Sequence, residues 1–210
     1  MKLKLLSLGN NRKLAENIPI FNLPAGITCP GKTKVCGKIC YAARSERLYA
    51  GARAMRARNL IASRSPGFVE DICTELSWLQ NSKGVTLSRV HESGDYYCQR
   101  YLDKWIHITS LFPKITFLAY TKSVHLDFSK APPNLRLYVS MDTSSDIRNM
   151  YSSLNHTPEA WIVLKGETPP VGLPTCIHAD KDKHYCGSAC KICWEGSHKD
   201  YTDGVYFLQH

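Results

Sequence analysis

Strand-like segments separated by helix-like segments constrain the fold of this chain more than any other feature of its sequence. Four strand-like segments are rich in β-branched and aromatic residues, and they occupy residues 85–91, 115–121, 135–141 and 161–166. They recur at intervals of about 20 to 30 residues, which is typical of β-α-β units and a largely parallel sheet. With further strands predicted before Cys29 and near residues 175–178, the expected number of strands is about six.

Helix-forming stretches lie between these strands. Residues 42–62 are rich in Ala, Arg, Leu and Met, a second helix is predicted from about Phe68 to Leu79, and a third from Tyr97 to Leu111. We therefore predict an α/β fold with a partial (β/α)6 barrel-like parallel sheet and cysteine-rich loops near both ends of the chain. At 210 residues, the chain is expected to form one domain, with a core at about 20–175 and an extension at 176–210.

Polar residues repeatedly follow the predicted strands. In parallel α/β architectures the carboxyl ends of the strands meet at one edge of the sheet, and functional residues gather there. Polar loops are also common without any function, so the prediction rests on the whole set. The candidate residues at this edge are Glu92, Ser93, Gly94, Asp95, Lys122, Ser140 and Asp142.

Seven of the nine cysteines fall in two short clusters. The first cluster is Cys29, Cys36 and Cys40, and the second is Cys176, Cys186, Cys190 and Cys193. Short spacings let one loop present several thiolates to one metal ion or cluster without a large loop-closure entropy. Four thiolates close a coordination shell, whereas three leave a position open, where a metal does chemistry. The two clusters therefore predict two different metal sites.

The identity of the metal is left open by the residues alone. A [4Fe-4S] cluster suits both loops, and zinc is the alternative, completed at the first loop by another His or Cys. In the second loop, only the pair Cys190 and Cys193 has the spacing of a zinc knuckle. His178 and His184 are either spare donors or solvated loop residues.

The chain is basic, with a formal net charge of +9. This charge permits nucleic acid or another polyanion as a partner but does not require one. Arginines are concentrated in residues 42–64, where they could contact phosphates, although such a run is also common on a solvated helix face. The residues predicted to bind nucleic acid are Arg44, Arg47, Arg53, Arg56 and Arg58.

Other function classes are excluded by missing motifs. The sequence has no apolar run long enough to cross a bilayer and no signal-peptide pattern, so we expect no membrane association and a cytoplasmic location. In that reducing compartment, nine cysteines favour metal sites over disulfides. No phosphate-binding P-loop, dinucleotide fingerprint or serine-nucleophile elbow is present.

Several motifs together resemble the bacteriophage gene 88 protein family. They are PAGITCPG, CYAAR, HESGDYY, FLAYTKS, VSMD and CGSACKICW, and they extend over about residues 20–195. The resemblance implies a phage or prophage origin, and therefore the host cytoplasm as the location. Because that family has no assigned reaction, the resemblance implies little about chemistry.

The CYA ending of the first cysteine cluster is also similar to phage proteins distantly related to radical S-adenosylmethionine barrels. This likeness implies that the first cluster holds a [4Fe-4S] cluster with one open iron, which binds S-adenosylmethionine. The likeness implies that Glu92, Ser93, Gly94 and Asp95 bind the cosubstrate. Because they also follow strands, Ser140 and Asp142 are further candidates for cosubstrate binding, and the candidates for catalysis are Glu92, Asp95 and Lys122. The second cysteine cluster is interpreted as a closed, auxiliary [4Fe-4S] cluster.

The first cysteine cluster departs from the cysteine spacing of radical S-adenosylmethionine enzymes. The common spacing there is C-x3-C-x2-C, and the first cluster, Cys29-x6-Cys36-x3-Cys40, is longer. The expected function is nonetheless an iron-sulfur enzyme that modifies a nucleic acid base or a small metabolite. The alternatives are a basic zinc-binding phage protein without enzymatic activity, which binds nucleic acid or a host protein, and a barrel that has lost its accessible iron.

Overall fold

The computed structural model of the protein describes residues 4–9, 14–144, 154, 157–176, 186–195 and 204–209. The strands are β1 (Ser7–Leu8), β2 (Pro19–Phe21), β3 (Leu87–Val90), β4 (Thr116–Thr121), β5 (Leu135–Met141), β6 (Glu159–Val163) and β7 (Gly204–Leu208). The helices are α1 (Lys34–Ile39), α2 (Tyr41–Leu48), α3 (Ala50–Arg64), α4 (Phe68–Lys83), α5 (Gln99–Leu111) and α6 (Ile192–Glu195). None of the helices in these ranges is long and apolar enough to span a membrane.

The seven strands form one sheet in which the spatial order of the strands follows the chain order. Strand β1 is antiparallel to β2, and each later neighbouring pair is parallel. Strands β1 and β7 lie at opposite edges, so the sheet is open. The mixed α/β class and the largely parallel sheet are thus confirmed. The sheet has seven strands rather than the expected six, and it is not closed into a barrel.

Two of the predicted elements differ from those observed. The helix predicted over 42–62 is two helices, because Tyr49 adopts an extended conformation (φ −125°, ψ 101°) between α2 and α3. The strand predicted near residues 175–178 is reduced, within the described part, to an isolated bridge from Thr175 to Tyr206. The final strand is instead β7, whose sequence GVYFL has the β-branched and aromatic residues that favour a sheet.

The sheet separates two hydrophobic clusters. On one face, strand residues such as Phe21, Val90 and Phe117 pack with α4 and α5. On the other face, strand residues such as Leu118 and Tyr138 pack with α6 instead. A sequential parallel order with right-handed connections puts the connecting helices on one side of a sheet. The second side has none of the helices that connect the strands, and we call it the helix-free face. It is covered by the cysteine-rich C-terminal segment with its short helix α6.

The N-terminal segment is attached to the helical layer by one carboxylate. Glu75 of α4 is buried, and its oxygens accept hydrogen bonds from the backbone N–H groups of Lys4 (2.7 Å), Leu5 (3.0 Å) and Leu6 (2.9 Å). A buried carboxylate is stabilised by such donors, and the donors in turn lose their partners if it is removed. Glu75 therefore holds the edge strand β1 in place.

We predict that Glu75→Ala lowers the free energy of unfolding by about 3 kcal/mol, because it leaves buried N–H groups without acceptors. Urea denaturation monitored by circular dichroism measures this change. Asn81→Ala, at an exposed position of the same helix, is the control and should stay within about 0.5 kcal/mol of the parent protein. Equal effects of the two substitutions would contradict the conclusion that Glu75 holds β1 in place.

Candidate metal centres at the strand ends and on the helix-free face

The first cysteine loop lies directly against the carboxyl end of the sheet. It follows β2, and its Gly31 approaches β4 so closely that an added Cβ would lie 1.9 Å from the carbonyl oxygen of Lys122. The carbonyl of Thr28 accepts a hydrogen bond from the N–H of Asp95 at 3.1 Å. The loop is thus fixed to the residues that follow β3 and β4, as the prediction of a strand-end site requires.

Helix α1 and its two ends position the cysteines of this loop. Thr33 caps α1 by accepting the N–H of Cys36 at 3.0 Å, and its hydroxyl donates to Asp142 at 2.6 Å. Cys40 lies between α1 and α2, where its sulfur accepts the N–H of Ala43 at 3.4 Å. Cys29 precedes the helix in a turn closed by the bond from its own N–H to Gly26 at 3.3 Å.

The three thiols of the loop form one electrostatic group. The pKa of Cys29 is raised to about 11, chiefly by burial and also by the charges of Asp95, Cys36 and Cys40, against a hydrogen bond from the backbone of Gly26. Burial also raises the pKa of Cys36, while the positive charge of Lys122 opposes that increase. Cys29, Cys36 and Cys40 therefore lie within electrostatic range of one another and of the charged residues at the strand ends.

The segment after β3 packs on the start of this loop. The side-chain oxygen of Asn22 accepts the N–H groups of Glu92 and Ser93, both at 2.8 Å, and the Ser93 hydroxyl donates to the carbonyl of Leu23 at 2.8 Å. Gly94 has φ +85°, and an added Cβ would lie 2.5 Å from that of Leu23. Ser93 and Gly94 are therefore positioned to support the loop, and direct binding of a cosubstrate by them stays a prediction.

Asp95 connects two strand ends through a fully buried carboxylate. One oxygen accepts from the Thr121 hydroxyl (2.7 Å) and the N–H of Tyr96 (2.7 Å), and the other accepts from the N–H of Lys122 (2.8 Å). Burial raises its pKa, and these hydrogen bonds offset part of that increase. The contacts describe a positioning residue, while a catalytic role of Asp95 stays a prediction.

Lys122 and Asp142 form a buried ion pair next to the cysteine loop. The ammonium of Lys122 lies 2.9 Å from Asp142 and donates to the carbonyl of Ser140 at 2.7 Å. Burial acts to raise the pKa of Asp142, but hydrogen bonds from Thr33, Ser144 and Lys122, with the charge of Lys122, outweigh it and hold the pKa at about 2. Asp142 is therefore ionised at neutral pH, and it binds both the lysine and the cap of α1.

The second cysteine cluster lies on the helix-free face. Gly187 and Cys190 close a tight turn through an N–H to carbonyl bond of 2.7 Å, and Cys193 lies on α6. The indole N–H of Trp194 donates to the sulfur of Cys186 at 3.2 Å. Cys176 joins them from the strand side, since its N–H donates to Tyr206 of β7 at 2.7 Å.

The four thiols of this second cluster also interact electrostatically. The pKa of Cys193 is raised to about 12, chiefly by burial and also by the charges of Cys186 and Cys176, against a hydrogen bond with Tyr120. Burial raises the pKa of Cys186 as well, with a further contribution from Cys190. Cys176, Cys186 and Cys193 thus pack against the hydrophobic cluster of this face, and Cys190 pairs with Cys186 through an isolated bridge.

Arg89 and Glu92 place charge beside this second cluster. The Arg89 guanidinium lies 4.0 Å above the ring of Tyr120, and its charge opposes the increase that burial causes in the pKa values of Cys186 and Cys193. Glu92 is close enough to Cys186 to act in the opposite direction. Sequence reasoning missed Arg89, although a charged residue in the middle of an apolar strand was a usable indication.

Asn22 and Thr33 are two further site residues that sequence reasoning missed. Both carry ordinary local signatures, because Asn22 is a polar residue directly after a strand and Thr33 is a helix N-cap. Their long-range partners, Glu92 and Asp142, are separated from them in sequence. The local pattern identifies such residues as caps or loop polar groups and gives no information about these contacts.

The type of the donors, rather than the arrangement of the side chains, suits iron-sulfur chemistry. Among the residues that the structure describes, no group of three or more His, Cys, Asp or Glu side chains is arranged to bind a single metal ion. Seven soft sulfur donors in groups of three and four nevertheless match the ligands that iron-sulfur clusters use. A cationic centre would also remove the protons that burial now favours on these thiols. Metal binding stays a prediction, and His178 and His184 lie outside the described residues.

The arginines predicted to bind nucleic acid do not share one environment. Arg56 is buried, and its guanidinium lies 3.0 Å from the carboxylate of Glu46 and 3.0 Å from the carbonyl of Ala42. Arg56 therefore joins α2 to α3 inside the protein. The other four predicted residues, Arg44, Arg47, Arg53 and Arg58, are exposed.

The fold and the two sulfur groups define the protein as an open, mostly parallel α/β protein with cysteine-rich loops at the strand ends and on the helix-free face. Residues 3–198 match the model of the family described as gene product 88, and the chain belongs to that family. The predicted resemblance to the phage gene 88 proteins, and with it a bacteriophage origin, is confirmed.

Two curated relatives carry the name gene 88 protein. Those of Mycobacterium phage D29 and Mycobacterium phage L5 are each 29% identical to this chain over 129 residues, which is 56% of this chain and 53% of the relative. The chain thus spans about half the length of these relatives. No solved structure matches the chain. The names of the relatives state no activity, so the resemblance to radical S-adenosylmethionine barrels stays an expectation.

Stability should fall in mild acid because of His91. Burial, with the charge of Arg89, lowers the pKa of His91 to about 3, and its ring lies 2.8 Å from the Tyr101 hydroxyl. Between pH 6.5 and about 3 the unfolded chain therefore binds one more proton than the folded protein. The free energy of unfolding should fall by up to about 1.4 kcal/mol per pH unit as pH decreases through this range.

Urea titrations between pH 6.5 and 4.5 measure this dependence. His91→Asn, which tolerates the left-handed backbone of this position (φ 68°), should flatten the slope while lowering stability overall. This interval lies above the range in which Asp142 loses its charge, since the pKa of Asp142 is about 2. An unchanged slope in the variant would show that other groups cause the acid sensitivity.

Removal of the Lys122 ammonium should destabilise the protein through Asp142. We expect Lys122→Met to cost roughly 3 to 5 kcal/mol, because it leaves a buried carboxylate without its cation. Adding Asp142→Asn should recover part of this loss, since the double variant has no unpaired charge at the site. Additive losses in a double-mutant cycle measured by denaturation would contradict a direct pairing.

Proposed function

We propose that this protein is an iron-sulfur enzyme of the radical S-adenosylmethionine type, in which Cys29, Cys36 and Cys40 hold the catalytic [4Fe-4S] cluster. The observation that supports this most is the position of the loop that carries the three thiols, which packs against Lys122 and Asp95 at the carboxyl edge of a parallel sheet. Ligands and reactive groups bind at that edge in parallel α/β proteins. Three cysteines leave one iron of a four-iron cluster without a protein ligand.

The remaining strand-end residues would have separate tasks. A [4Fe-4S] cluster held by Cys29, Cys36 and Cys40 would supply one-electron reduction for the cleavage of S-adenosylmethionine, with the electron coming from an external reductant. Asp95 and Ser93 position the loop, since their side chains already bond to β4 and to Leu23. We assign the amino group of the cosubstrate to Glu92, because a carboxylate and an ammonium form a charge-assisted hydrogen bond.

Lys122 and Asp142 complete the support of the loop from β4 and β5. Lys122 brings positive charge near Cys36, which favours the thiolate that a metal requires. Asp142 fixes the N-terminus of α1 through Thr33 and keeps the lysine in place. Their role in the proposal is therefore to hold the cysteine loop in a conformation able to bind a cluster.

The second group of cysteines would hold a closed cluster that does no bond-breaking chemistry. Cys176, Cys186, Cys190 and Cys193 supply four ligands, and Trp194 donates a hydrogen bond to one of the sulfurs. Hydrogen bonds to cluster sulfurs and nearby positive charge tune the reduction potential. Arg89 is the charged residue placed to do so.

Iron analysis tests this proposal directly. After anaerobic reconstitution we expect about eight irons per chain, four at each site. Cys36→Ser and Cys190→Ser should each remove about four, whereas Cys73→Ser, at a half-buried cysteine of α4, should remove none. A protein that retains about two zinc ions and no iron would contradict the proposal and favour the non-enzymatic zinc-binding alternative.

The assignment of Glu92 to the cosubstrate amino group is tested by measuring the binding and cleavage of S-adenosylmethionine. Glu92→Gln should weaken the binding of S-adenosylmethionine, and slow its reductive cleavage, at least tenfold, because one charge-assisted hydrogen bond is lost. Iron content should stay at the level of the parent protein. Glu70→Gln, at an exposed carboxylate of α4, is the control. Unchanged cosubstrate binding in Glu92→Gln would contradict the assignment of Glu92 to the cosubstrate amino group.

A further inference from the structure

Almost all of the net positive charge of the chain lies in one segment. Residues 25–64 contain nine of the 27 lysines and arginines but one of the 18 acidic residues, Glu46. The segment thus carries a net charge of +8, while the formal charge of the whole chain is +9. Because Glu46 is paired with the buried Arg56, the sole carboxylate of the segment does not neutralise its surface.

The structure spreads these cations over the outside of α1, α2 and α3. We call this region the α1–α3 surface, and its exposed cations are Lys32, Lys34, Lys38, Arg44, Arg47, Arg53, Arg58 and Arg64. Guanidinium groups bind phosphates with two parallel hydrogen bonds, which favours arginine-rich surfaces for nucleic acid. Electrostatic attraction alone, however, would not distinguish one polyanion from another.

Exposed aromatic and apolar side chains are interspersed with the cations. Tyr41 is 59% exposed and is the first residue of α2, which carries Arg44 and Arg47, and Tyr49, which follows the helix, is 63% exposed. Five of the eight large hydrophobic side chains found exposed in the described residues lie between Ile27 and Ile61. Aromatic platforms within a basic groove are the means by which proteins stack the bases of single strands.

We propose that the α1–α3 surface binds single-stranded nucleic acid. Single-stranded nucleic acid would then be the substrate class of the proposed enzyme. That role as a substrate rests on the proposed function, whereas binding to the α1–α3 surface does not. Cys36 and Cys40 belong to the same helical region, so a bound strand would lie beside the first cysteine group. A duplex fits less well, because its bases are stacked internally and cannot stack on Tyr41 or Tyr49.

Fluorescence anisotropy tests the proposal with labelled single-stranded DNA and RNA of about 20 nucleotides, longer than a typical single-strand site. The triple variant Arg44→Gln, Arg47→Gln, Arg53→Gln should weaken binding at least tenfold and reduce the salt slope by about two, as expected for three lost phosphate contacts. Tyr49→Ala should weaken binding about tenfold through lost stacking.

The matched control is the triple variant Lys83→Gln, Lys114→Gln, Lys130→Gln, which removes three exposed cations outside the α1–α3 surface. It should bind within about twofold of the parent protein and keep the salt slope nearly unchanged. Circular dichroism confirms that the variants are folded. Equal losses in both triple variants, or absence of salt-dependent binding by the parent protein, would overturn the proposal.

Two further measurements distinguish nucleic-acid binding from membrane binding and from the iron-sulfur proposal. Vesicles containing anionic lipid are tested in parallel, and binding to vesicles without binding to oligonucleotides would overturn the proposal in favour of a membrane surface. Iron content is measured in the same samples. Because the surface uses no cysteine, failure of the cluster proposal appears in the iron count and failure of this proposal appears in the anisotropy.

Discussion

The contact on which the rest of the site depends is the buried ion pair between Lys122 and Asp142. It joins the ends of β4 and β5, and the same carboxylate accepts the hydroxyl of Thr33 at the start of α1. The backbone N–H of Lys122 in turn donates to Asp95, which belongs to the segment after β3. One lysine therefore connects three strand ends to the cysteine loop, with its charge fully compensated.

The sheet topology assigns the two cysteine groups to different environments. Because the strands follow one another in order and the helices cover one face, the strand-end edge and the helix-free face remain for the cysteine-rich segments. The first group lies among charged groups at the edge, where ligands can enter. The second group packs against Tyr120 and Tyr138, which suits a closed centre.

Sequence patterns predicted the parts of this structure that depend on local periodicity. Strands β3 to β6 and helices α4 and α5 follow from apolar spacing and breakers, and the strand-end positions of Asp95, Lys122 and Asp142 follow from chain order in a parallel sheet. The strand number, the open edge and the buried position of Arg56 depend on long-range packing. An arginine on a helix has the same local pattern whether its partner is phosphate or Glu46, so periodicity could not separate Arg56 from Arg53.

The first cysteine loop and the basic surface are physically coupled, because both are carried by α1 and α2. Helix α1 has six residues and buries none of them, so neither helix propensity nor apolar packing stabilises it. Its order rests on the bond from Thr33 to Asp142 and on the close contact of Gly31 with Lys122. A metal centre bound to Cys36 and Cys40 would add covalent constraints inside this helix and at its C-terminal end. The contacts that fix α1 therefore also position Lys34 and Lys38, the cations of this helix on the α1–α3 surface, whether or not a metal is bound.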